Sequence, residues 1–179
     1  MTSMMPLVLI TGASGGIGQA LARRYAAMNY RLALVVRQSN DVENWLKSMS
    51  ISIDSYQIYS ADVTQPFSMA EMARACLARQ GVPDIVIANA GISIGMDASV
   101  ADDMAVLQTI LQTNVFGVAY TFQPFIVPMR TRGSGTLVGL SAWRVFVACQ
   151  GMVAIAPARQ PSLAIAKACA VNCAEQVSR

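Results

Sequence analysis

The chain has 179 residues, of which 54% are hydrophobic and 13% charged, and its formal net charge is +3. A chain this apolar is not intrinsically disordered, and its few, scattered basic residues are not typical of a nucleic-acid-binding protein. Because it contains no histidine, a Ser-His-Asp triad, a Cys-His dyad and a His-ligated metal site are all excluded, and no metal site is predicted.

Strand-like and helix-like segments alternate over the first 140 residues. Short apolar runs predict strands buried on both faces, and apolar residues at helical spacing predict helices. In chain order, the pattern predicts a strand at 7–10, a helix at 17–28, a strand at 32–36, a helix at 42–49, a strand at 56–59, a helix at 69–79, a strand at 85–88, a helix at 103–125 and a strand at 136–140. The last helix is expected to stop near Pro124 or Pro128. The alternation predicts an α/β fold, a doubly wound parallel Rossmann sheet truncated after about five strands and followed by an irregular C-terminal tail.

A glycine-rich motif, Thr-Gly-Ala-Ser-Gly-Gly-Ile-Gly, occupies residues 11–18, between the first strand and the first helix. Glycines at such a turn let the backbone approach a pyrophosphate closely, and the helix N-terminus offers it unpaired N–H groups. The motif therefore predicts a dinucleotide site. A glycine-rich turn without a ligand is the alternative interpretation.

Arg37 follows the second predicted strand, where the adenosine ribose of a dinucleotide would lie. An acidic residue at this place would bind a free 2′-hydroxyl, whereas an arginine suits a 2′-phosphate. Arg37 therefore favours NADP as the cofactor, with NAD still possible. The alternative is a solvated arginine that ends a strand.

The motifs together resemble those of the short-chain dehydrogenase/reductase family. The resemblance runs from about residue 5 to 142 and includes TGxxxGxG at residues 11–18, Asp62-Val63, Asn89-Ala90-Gly91, Asn114 and Ser141. It implies a single-domain NAD(P)-binding Rossmann fold with the strand order 3-2-1-4-5-6-7. It also implies hydride transfer between a nicotinamide cofactor and a small alcohol or carbonyl substrate. The resemblance also implies a homo-oligomer.

The resemblance implies roles for individual residues. The residues expected to contact the cofactor pyrophosphate are Gly12, Ser14, Gly16, Ile17 and Gly18. Those expected around the adenine and adenosine are Asp62, Val63, Asn89, Ala90 and Gly91. Asn114 would order a water in a proton relay, and Ser141 would bind the substrate oxygen. Each polar residue also has a structural interpretation: Asp62 as a helix cap, Asn89 as a turn former, Asn114 as a backbone-bonded amide and Ser141 as the end of a strand.

The chain departs from the family after Ser141. The resemblance calls for a catalytic tyrosine about thirteen residues later and a lysine four beyond it, but Ala154 and Ala158 occupy those positions, and no tyrosine follows Tyr120. The composition changes in the same region. Nine of the ten acidic residues lie at or before Asp103, whereas three of the four cysteines lie in the last 31 residues.

A shift of reading frame near residues 141–143 would explain the departure. When the third base of each codon is read with the first two bases of the next, the segment from Trp143 onward can encode A-G-V-R-G-L-P-G-H-G-G-Y-C-A-S-K-A-A-V-I-S-Y. The division expected is thus a dinucleotide-binding Rossmann domain at residues 1–141 and a non-family tail at residues 142–179. Within the tail, residues 163–177 have helical character.

Three functions stay open at this point. The first is an NAD(P)-dependent oxidoreductase by descent, impaired because the tyrosine and lysine are missing. The second is a non-catalytic NADP-binding module, and the third is an inactive product of a frameshifted gene. Since Arg144 and Gln150 interrupt the hydrophobic run at residues 136–157, a membrane span is not expected. The absence of a signal-peptide pattern and of a CxxC pair predicts a cytoplasmic location.

Overall fold

The computed structural model describes residues 5–38, 40–48, 51–97 and 99–140, and the backbone of three short strands beyond them. The strands are β1 (Leu7–Thr11), β2 (Arg31–Val36), β3 (Tyr56–Ser60), β4 (Ile85–Ala88), β5 (Thr136–Gly139), β6 (Ala148–Cys149), β7 (Met152–Val153) and β8 (Cys169–Asn172). The α-helices are α1 (Gly16–Ala27), α2 (Asn40–Ser48), α3 (Pro66–Arg79), α4 (Met104–Leu111) and α5 (Gly117–Arg132). A π-helix, Gln112–Phe116, joins α4 to α5, and 3-10 helices lie at Ile53–Ser55 and Ala101–Asp103.

Five parallel strands form the centre of the fold, in the order β3-β2-β1-β4-β5. The register pairs Leu9 of β1 with Ala33 of β2 on one side and with Val86 of β4 on the other. The strand order reverses between β1 and β4, and ligands of such sheets bind where the carboxyl ends of the strands reverse. The predicted doubly wound parallel sheet of about five strands is confirmed.

Strand β1 is buried on both faces, as its unbroken apolar sequence predicts. Leu7 and Leu9 belong to one core cluster, which α3 and α5 cover with Met69, Cys76, Phe125 and Met129 among others. Val8 and Ile10 belong to the opposite cluster, covered by side chains of α1 and α2. Burying each large side chain stabilises the fold by about 1.5–3 kcal/mol, so β1 and its glycine-rich exit are held from both sides.

One carboxylate holds the amino-terminal edge of the sheet together. The Leu7 amide donates to Asp84 Oδ2 at 2.7 Å, and Arg132 Nη1 lies 3.2 Å from Asp84 Oδ1. The Arg132 guanidinium also donates to the carbonyl oxygens of Val82 and Pro83, each at 2.7 Å. The start of β1, the turn before β4 and the end of α5 are therefore tied to one another, which sets the relative position of β1 and β4.

The long helix departs from its predicted end. Instead of stopping near Pro124 or Pro128, α5 continues through both prolines to Arg132, so that prediction was wrong. An interior proline costs a helix roughly 3 kcal/mol. The buried stripe of Thr121, Phe125 and Met129 on the same helix outweighs this cost by packing on the sheet. The helix ends at Gly133, whose φ of +75° is the left-handed conformation that glycine adopts most easily.

The strands beyond residue 140 are described by their backbone alone. β8 pairs antiparallel with β5, with Leu137 opposite Val171, and β6 pairs with β7. β8 lies inside the segment predicted to have helical character, so that prediction was wrong for residues 169–172. The exposed N–H and C=O groups of β5 provide the physical reason, because an unpaired sheet edge recruits an extended segment.

The Cys76 thiol makes the stability of the fold sensitive to alkaline pH. Burial raises the pKa of the Cys76 thiol from 9.0 to about 11, and burial also raises the pKa of the neighbouring Tyr59 hydroxyl. Both groups are neutral when protonated, and the unfolded chain loses these protons at a lower pH than the folded chain. The free energy of unfolding should therefore be unaffected by Cys76 below about pH 9 and should fall by about 2 kcal/mol as the pH rises to about 11.

Urea unfolding of the wild type and of Cys76→Ala at a series of alkaline pH values measures this effect. The alanine variant is expected to be less stable at neutral pH, because it lacks a buried side chain, but to lose less stability between pH 9 and 11. Parallel pH profiles for the two proteins would contradict the assignment to Cys76.

Candidate functional site

Two positions in the loop after β1 require glycine, because other backbone segments lie very close to them. Gly12 has a φ of +66°, which a residue with a side chain adopts only under strain. A Cβ atom at Gly12 would lie 2.8 Å from Ala90 Cα. A Cβ atom at Gly18 would lie 2.8 Å from Ala13 Cα and closer still to the Gly12 carbonyl oxygen. The loop can thus fold against the end of β4 only with glycine at these two positions.

The N-terminus of α1 is open. Gly15 is the N-cap and has no side chain to occupy the first N–H groups, and the first turn contains no acidic residue. A Cβ atom added at Gly16 would meet nothing within 4 Å, and Ile17 is 66% exposed. Ser14 is exposed as well. Unpaired N–H groups and the positive end of the helix dipole, facing free space, are the features that bind a phosphate group.

Thr11, at the end of β1, connects the glycine-rich loop to β4. Its hydroxyl is fully buried, donates to the Ile87 carbonyl oxygen at 3.5 Å and accepts the amide hydrogens of Asn89 (3.1 Å) and Ala90 (3.2 Å). The sequence places Thr11 in the glycine-rich motif but indicates no role for its hydroxyl. A hydroxyl at the end of a strand buried on both faces must find partners inside the protein, and that signal could have identified it.

Asn89 completes the connection from the other side. Its Nδ2 donates to the carbonyl oxygens of Thr11 (2.9 Å) and Gly12 (3.1 Å). The side chain therefore holds the first peptides of the glycine-rich loop against β4, which is more than a turn former would do. The expected place of Asn89 and Ala90 around the adenosine stays a prediction.

Asn114 lies in the π-helix between α4 and α5, a type of helical irregularity that is frequent at functional sites. Its Oδ1 accepts the Ile92 amide hydrogen at 2.9 Å, and its Nδ2 donates to the Ile92 carbonyl oxygen at 2.8 Å. A Cβ atom at Gly91 would lie 3.3 Å from the same Oδ1. The side chain is thus the backbone-bonded amide of the alternative interpretation, and it fixes the segment that follows Asn89 and Ala90.

Arg37 extends from the carboxyl end of β2, next to β3. Its carbonyl oxygen accepts a hydrogen bond of 3.2 Å from Ser60 Oγ, and Ala61 N donates to the Val36 carbonyl oxygen at 2.9 Å. The Arg37 side chain is exposed and takes part in no ion pair with any residue that the structure describes. A positive charge is therefore available on the same edge of the sheet as the glycine-rich loop.

Asp62 and Val63 follow β3 on this edge. Asp62 Oδ1 accepts hydrogen bonds from the amide (2.9 Å) and hydroxyl (2.8 Å) of Thr64, and the Asp62 amide donates to Ser68 Oγ at 3.2 Å. Asp62 therefore organises the turn before α3, but it is not the helix cap of the alternative interpretation, because Gln65 is the N-cap of α3. Val63 is 8% exposed, and a Cβ atom at Gly117 would lie 3.1 Å from its Cγ2.

Ser141 lies outside the described residues, so its predicted role at the substrate oxygen stays a prediction. The preceding residue, Leu140, donates its amide hydrogen to the Ala88 carbonyl oxygen at 3.0 Å. The last described part of the continuous chain thus runs beside the end of β4, where Asn89 begins. The segments that the structure does bring together at this edge are the glycine-rich loop, Arg37, residues 61–63, residues 89–92 and Asn114.

In the described part of the chain, no helix has the length and apolar character needed to cross a bilayer. The first four residues of the hydrophobic run at 136–157 form β5 instead.

Known proteins share both the sequence pattern and the fold. The chain is 35% identical over 136 residues to an NADPH-dependent pterin aldehyde reductase of Arabidopsis thaliana, a match that covers 75% of this chain and 55% of the relative. A solved short-chain dehydrogenase of Streptomyces avermitilis is 27% identical, with a TM-score of 0.71 and coverage of 78% of this chain and 50% of that one. An alcohol dehydrogenase of Thermococcus sibiricus, solved with 5-hydroxy-NADP, is 28% identical, with a TM-score of 0.65 and coverage of 73% and 56%.

The chain therefore spans about half of the length of each of these proteins. The sequence profile of the short chain dehydrogenase family matches residues 6–175, which reaches farther than the motifs alone, whose resemblance ends near residue 142. The profile, the glycine-rich turn after β1 and the reversal of strand order beside it agree. The chain belongs to the short-chain dehydrogenase family.

Proposed function

We propose that this chain is an NADP(H)-binding member of its family, descended from an oxidoreductase that transfers a hydride between NADP(H) and an alcohol or carbonyl compound. The observation that carries the proposal is the uncapped N-terminus of α1, facing open space at Gly16. Thr11 and Asn89 brace the loop that leads to it. An open helix N-terminus on the switch point of a doubly wound sheet fits a dinucleotide pyrophosphate.

The residues present fit the cofactor along its whole adenosine half. The backbone of the glycine-rich loop, from Gly12 to Gly18, would hold the pyrophosphate, with Ser14 at the exposed tip. Arg37 would pair with a 2′-phosphate, and the backbone at Asp62 and Val63 would border the adenine. Ala90 and Gly91 would line the adenosine side. When bound, the nicotinamide supplies or accepts the hydride.

The chain lacks the family's proton donor, so we expect it to bind NADP(H) without turning over a carbonyl substrate. The residues proposed to hold the cofactor all precede Ser141, whereas the tyrosine and lysine of the resemblance would fall at Ala154 and Ala158. This separation favours a non-catalytic NADP-binding module as the second candidate function. We propose the same division for the chain: a dinucleotide-binding Rossmann domain at residues 1–141 and a non-family tail at residues 142–179.

The substrate and the oligomeric state of this chain are also proposed from its family. A small alcohol or carbonyl compound is the expected substrate class of an active relative. A homo-oligomer and a cytoplasmic location stay predictions.

Replacing Arg37 tests the cofactor preference. In Arg37→Ala, NADPH affinity is expected to fall by about tenfold or more, toward the affinity for NADH, because a charge-assisted pair with the 2′-phosphate contributes about 1.5–3 kcal/mol. NADH affinity should change little, since NADH carries no 2′-phosphate. Fluorescence titration of the full chain with each cofactor measures both.

Arg130→Ala is the matched control, because Arg130 is also exposed but lies near the end of α5, toward the opposite edge of the sheet. It changes the net charge equally and should leave both affinities unchanged. If Arg37→Ala binds NADPH as tightly as the wild type does, Arg37 is the solvated arginine of the alternative interpretation.

A further inference from the structure

The recognisable motifs of the family end near Ser141, although the family profile matches this chain as far as residue 175. Up to Leu140 the sheet, the glycine-rich loop and the residues around it are complete, and β5 pairs with β4 from Thr136 to Gly139. Curated relatives of this chain align with it over 136 to 140 residues, about three quarters of the chain. One acidic residue, Glu175, is found after position 140, compared with nine before it. A gradual loss of function by point substitutions would not change composition and motifs together at a single position.

We propose that the gene of this protein encodes the missing tyrosine and lysine in another reading frame. From about residue 142 onward, the chain is translated in a different frame from the one that encodes these two residues. The inference rests on the proposed function, because it assigns the lost proton donor to that same site. It concerns the coding sequence, so it can fail while the proposed cofactor binding holds.

Positions where the genetic code leaves little choice support the shifted frame. Met152 and Val153 together must encode glycine in that frame, since ATG followed by GT reads GGT. Codons 149 and 150 can encode only proline or serine there, and codons 150 and 151 only glycine or arginine. These constrained positions yield the small, turn-forming residues of a loop, in the stretch that precedes the expected tyrosine.

The proposal specifies individual codons. Ala154 must be GCT, because T followed by the AT of Ile155 reads TAT, tyrosine. Ala158 must be GCA and Arg159 must be AGA or AGG, because only these read AAG, lysine. The tyrosine then lies thirteen positions after Ser141 and the lysine four positions farther on, as the resemblance requires. Three other alanine codons at position 154, three at position 158 and four other arginine codons at position 159 are equally compatible with the protein sequence but not with the proposal.

The restored segment would supply the proton that balances the reaction. Reduction of a carbonyl compound consumes NADPH and one proton and yields the alcohol and NADP⁺. The hydride brings two electrons to the carbonyl carbon, and the tyrosine hydroxyl gives its proton to the carbonyl oxygen. A nearby ammonium lowers the pKa of such a hydroxyl toward neutrality, which is the role left for the lysine.

Sequencing the coding DNA from codon 136 to beyond codon 179 is the first test. We expect GCT at codon 154, GCA at codon 158 and AGA or AGG at codon 159, with an open frame that continues past codon 179. Any other base triplet at one of these three codons overturns the proposal.

A restored gene is the second test, made by deleting two nucleotides between codons 141 and 143, which keeps the tyrosine thirteen positions after Ser141, and reading on to the stop codon of the new frame. The restored chain is expected to unfold in one cooperative transition at a higher temperature than the original chain. It should also oxidise NADPH with a panel of aldehydes and ketones at least about a hundredfold faster, the range of general acid catalysis. A matched restored gene with the tyrosine codon changed to phenylalanine should keep the cooperative unfolding and lose the turnover.

NADPH binding, thermal unfolding and NADPH oxidation together distinguish the reading-frame proposal from the proposal of cofactor binding. If the restored chain binds NADPH but unfolds no more cooperatively than the original and oxidises no NADPH, the frame proposal is wrong and the cofactor proposal stands. If neither chain binds NADPH, the proposed function is wrong as well.

Discussion

Replacing Gly18 with alanine is expected to lower the free energy of unfolding by about 3 kcal/mol, a large part of the stability of a typical domain. The added Cβ atom would meet Ala13 Cα at 2.8 Å, Asn89 Nδ2 at 3.0 Å and the Gly12 carbonyl oxygen more closely than either. Two of these three atoms belong to the backbone of the loop, which Thr11 and Asn89 hold in place. The clash therefore cannot be relieved by a side-chain rotation.

Gly16→Ala is the matched control for this prediction, since it makes the same chemical change two residues earlier. A Cβ atom at Gly16 meets nothing within 4 Å, so the free energy of unfolding should stay within about 0.5 kcal/mol of the wild type. NADPH affinity should fall, because the added atom enters the space proposed for the pyrophosphate. Urea unfolding and cofactor titration measure the pair, and equal stability of the two variants would contradict the described loop geometry.

Thr11→Val is the second substitution with a large expected effect. Valine keeps the shape of the side chain but removes the hydroxyl that accepts the amide hydrogens of Asn89 and Ala90. Two partly buried N–H groups would lose their partner, at a cost of about 1–3 kcal/mol each. We therefore expect the free energy of unfolding to fall by about 3 kcal/mol, with weaker NADPH binding in the fraction that stays folded.

Thr11→Ser separates the hydroxyl from the methyl group. Serine keeps the hydrogen bonds and loses one buried methyl group, so the expected loss is about 1 kcal/mol. Urea unfolding of the two variants measures and compares their free energies of unfolding. If the valine variant is more stable than the serine variant, the buried methyl group contributes more to stability than the hydrogen bonds of the hydroxyl. The proposed bracing role of Thr11 is then wrong.

The strands were predictable because each is a short apolar run with its own turn signals. β1 and β4 alternate with helices and are buried on both faces, so a parallel sheet was the consistent solution. The end of α5 was not predictable from its prolines, because the burial of Phe125 and Met129 against the sheet depends on tertiary contacts that local sequence does not show. The start of α3 at Pro66, three residues before its prediction, follows from the tolerance of a first helical turn for proline.

The candidate site was partly predictable for a related reason. Glycines that must turn tightly leave a pattern, so Gly12 and Gly18 could be recognised from spacing alone. Hydrogen bonds between distant residues leave no such pattern. The hydroxyl of Thr11 reaches Asn89 across 78 positions of the chain, and the π-helix that presents Asn114 to Ile92 interrupts what reads in the sequence as one continuous helix.

We propose that the part of the chain before Ser141 forms an intact NADP(H) site, whatever follows it. Titration of the full-length chain with NADPH, followed by the fluorescence of the cofactor, tests this most directly, with a thermal unfolding curve of the same sample to establish that the chain is folded. Saturable binding of NADPH that is tighter than that of NADH, and that is weakened in Gly16→Ala, is the predicted result. A chain that unfolds cooperatively yet binds no NADPH would contradict the claim.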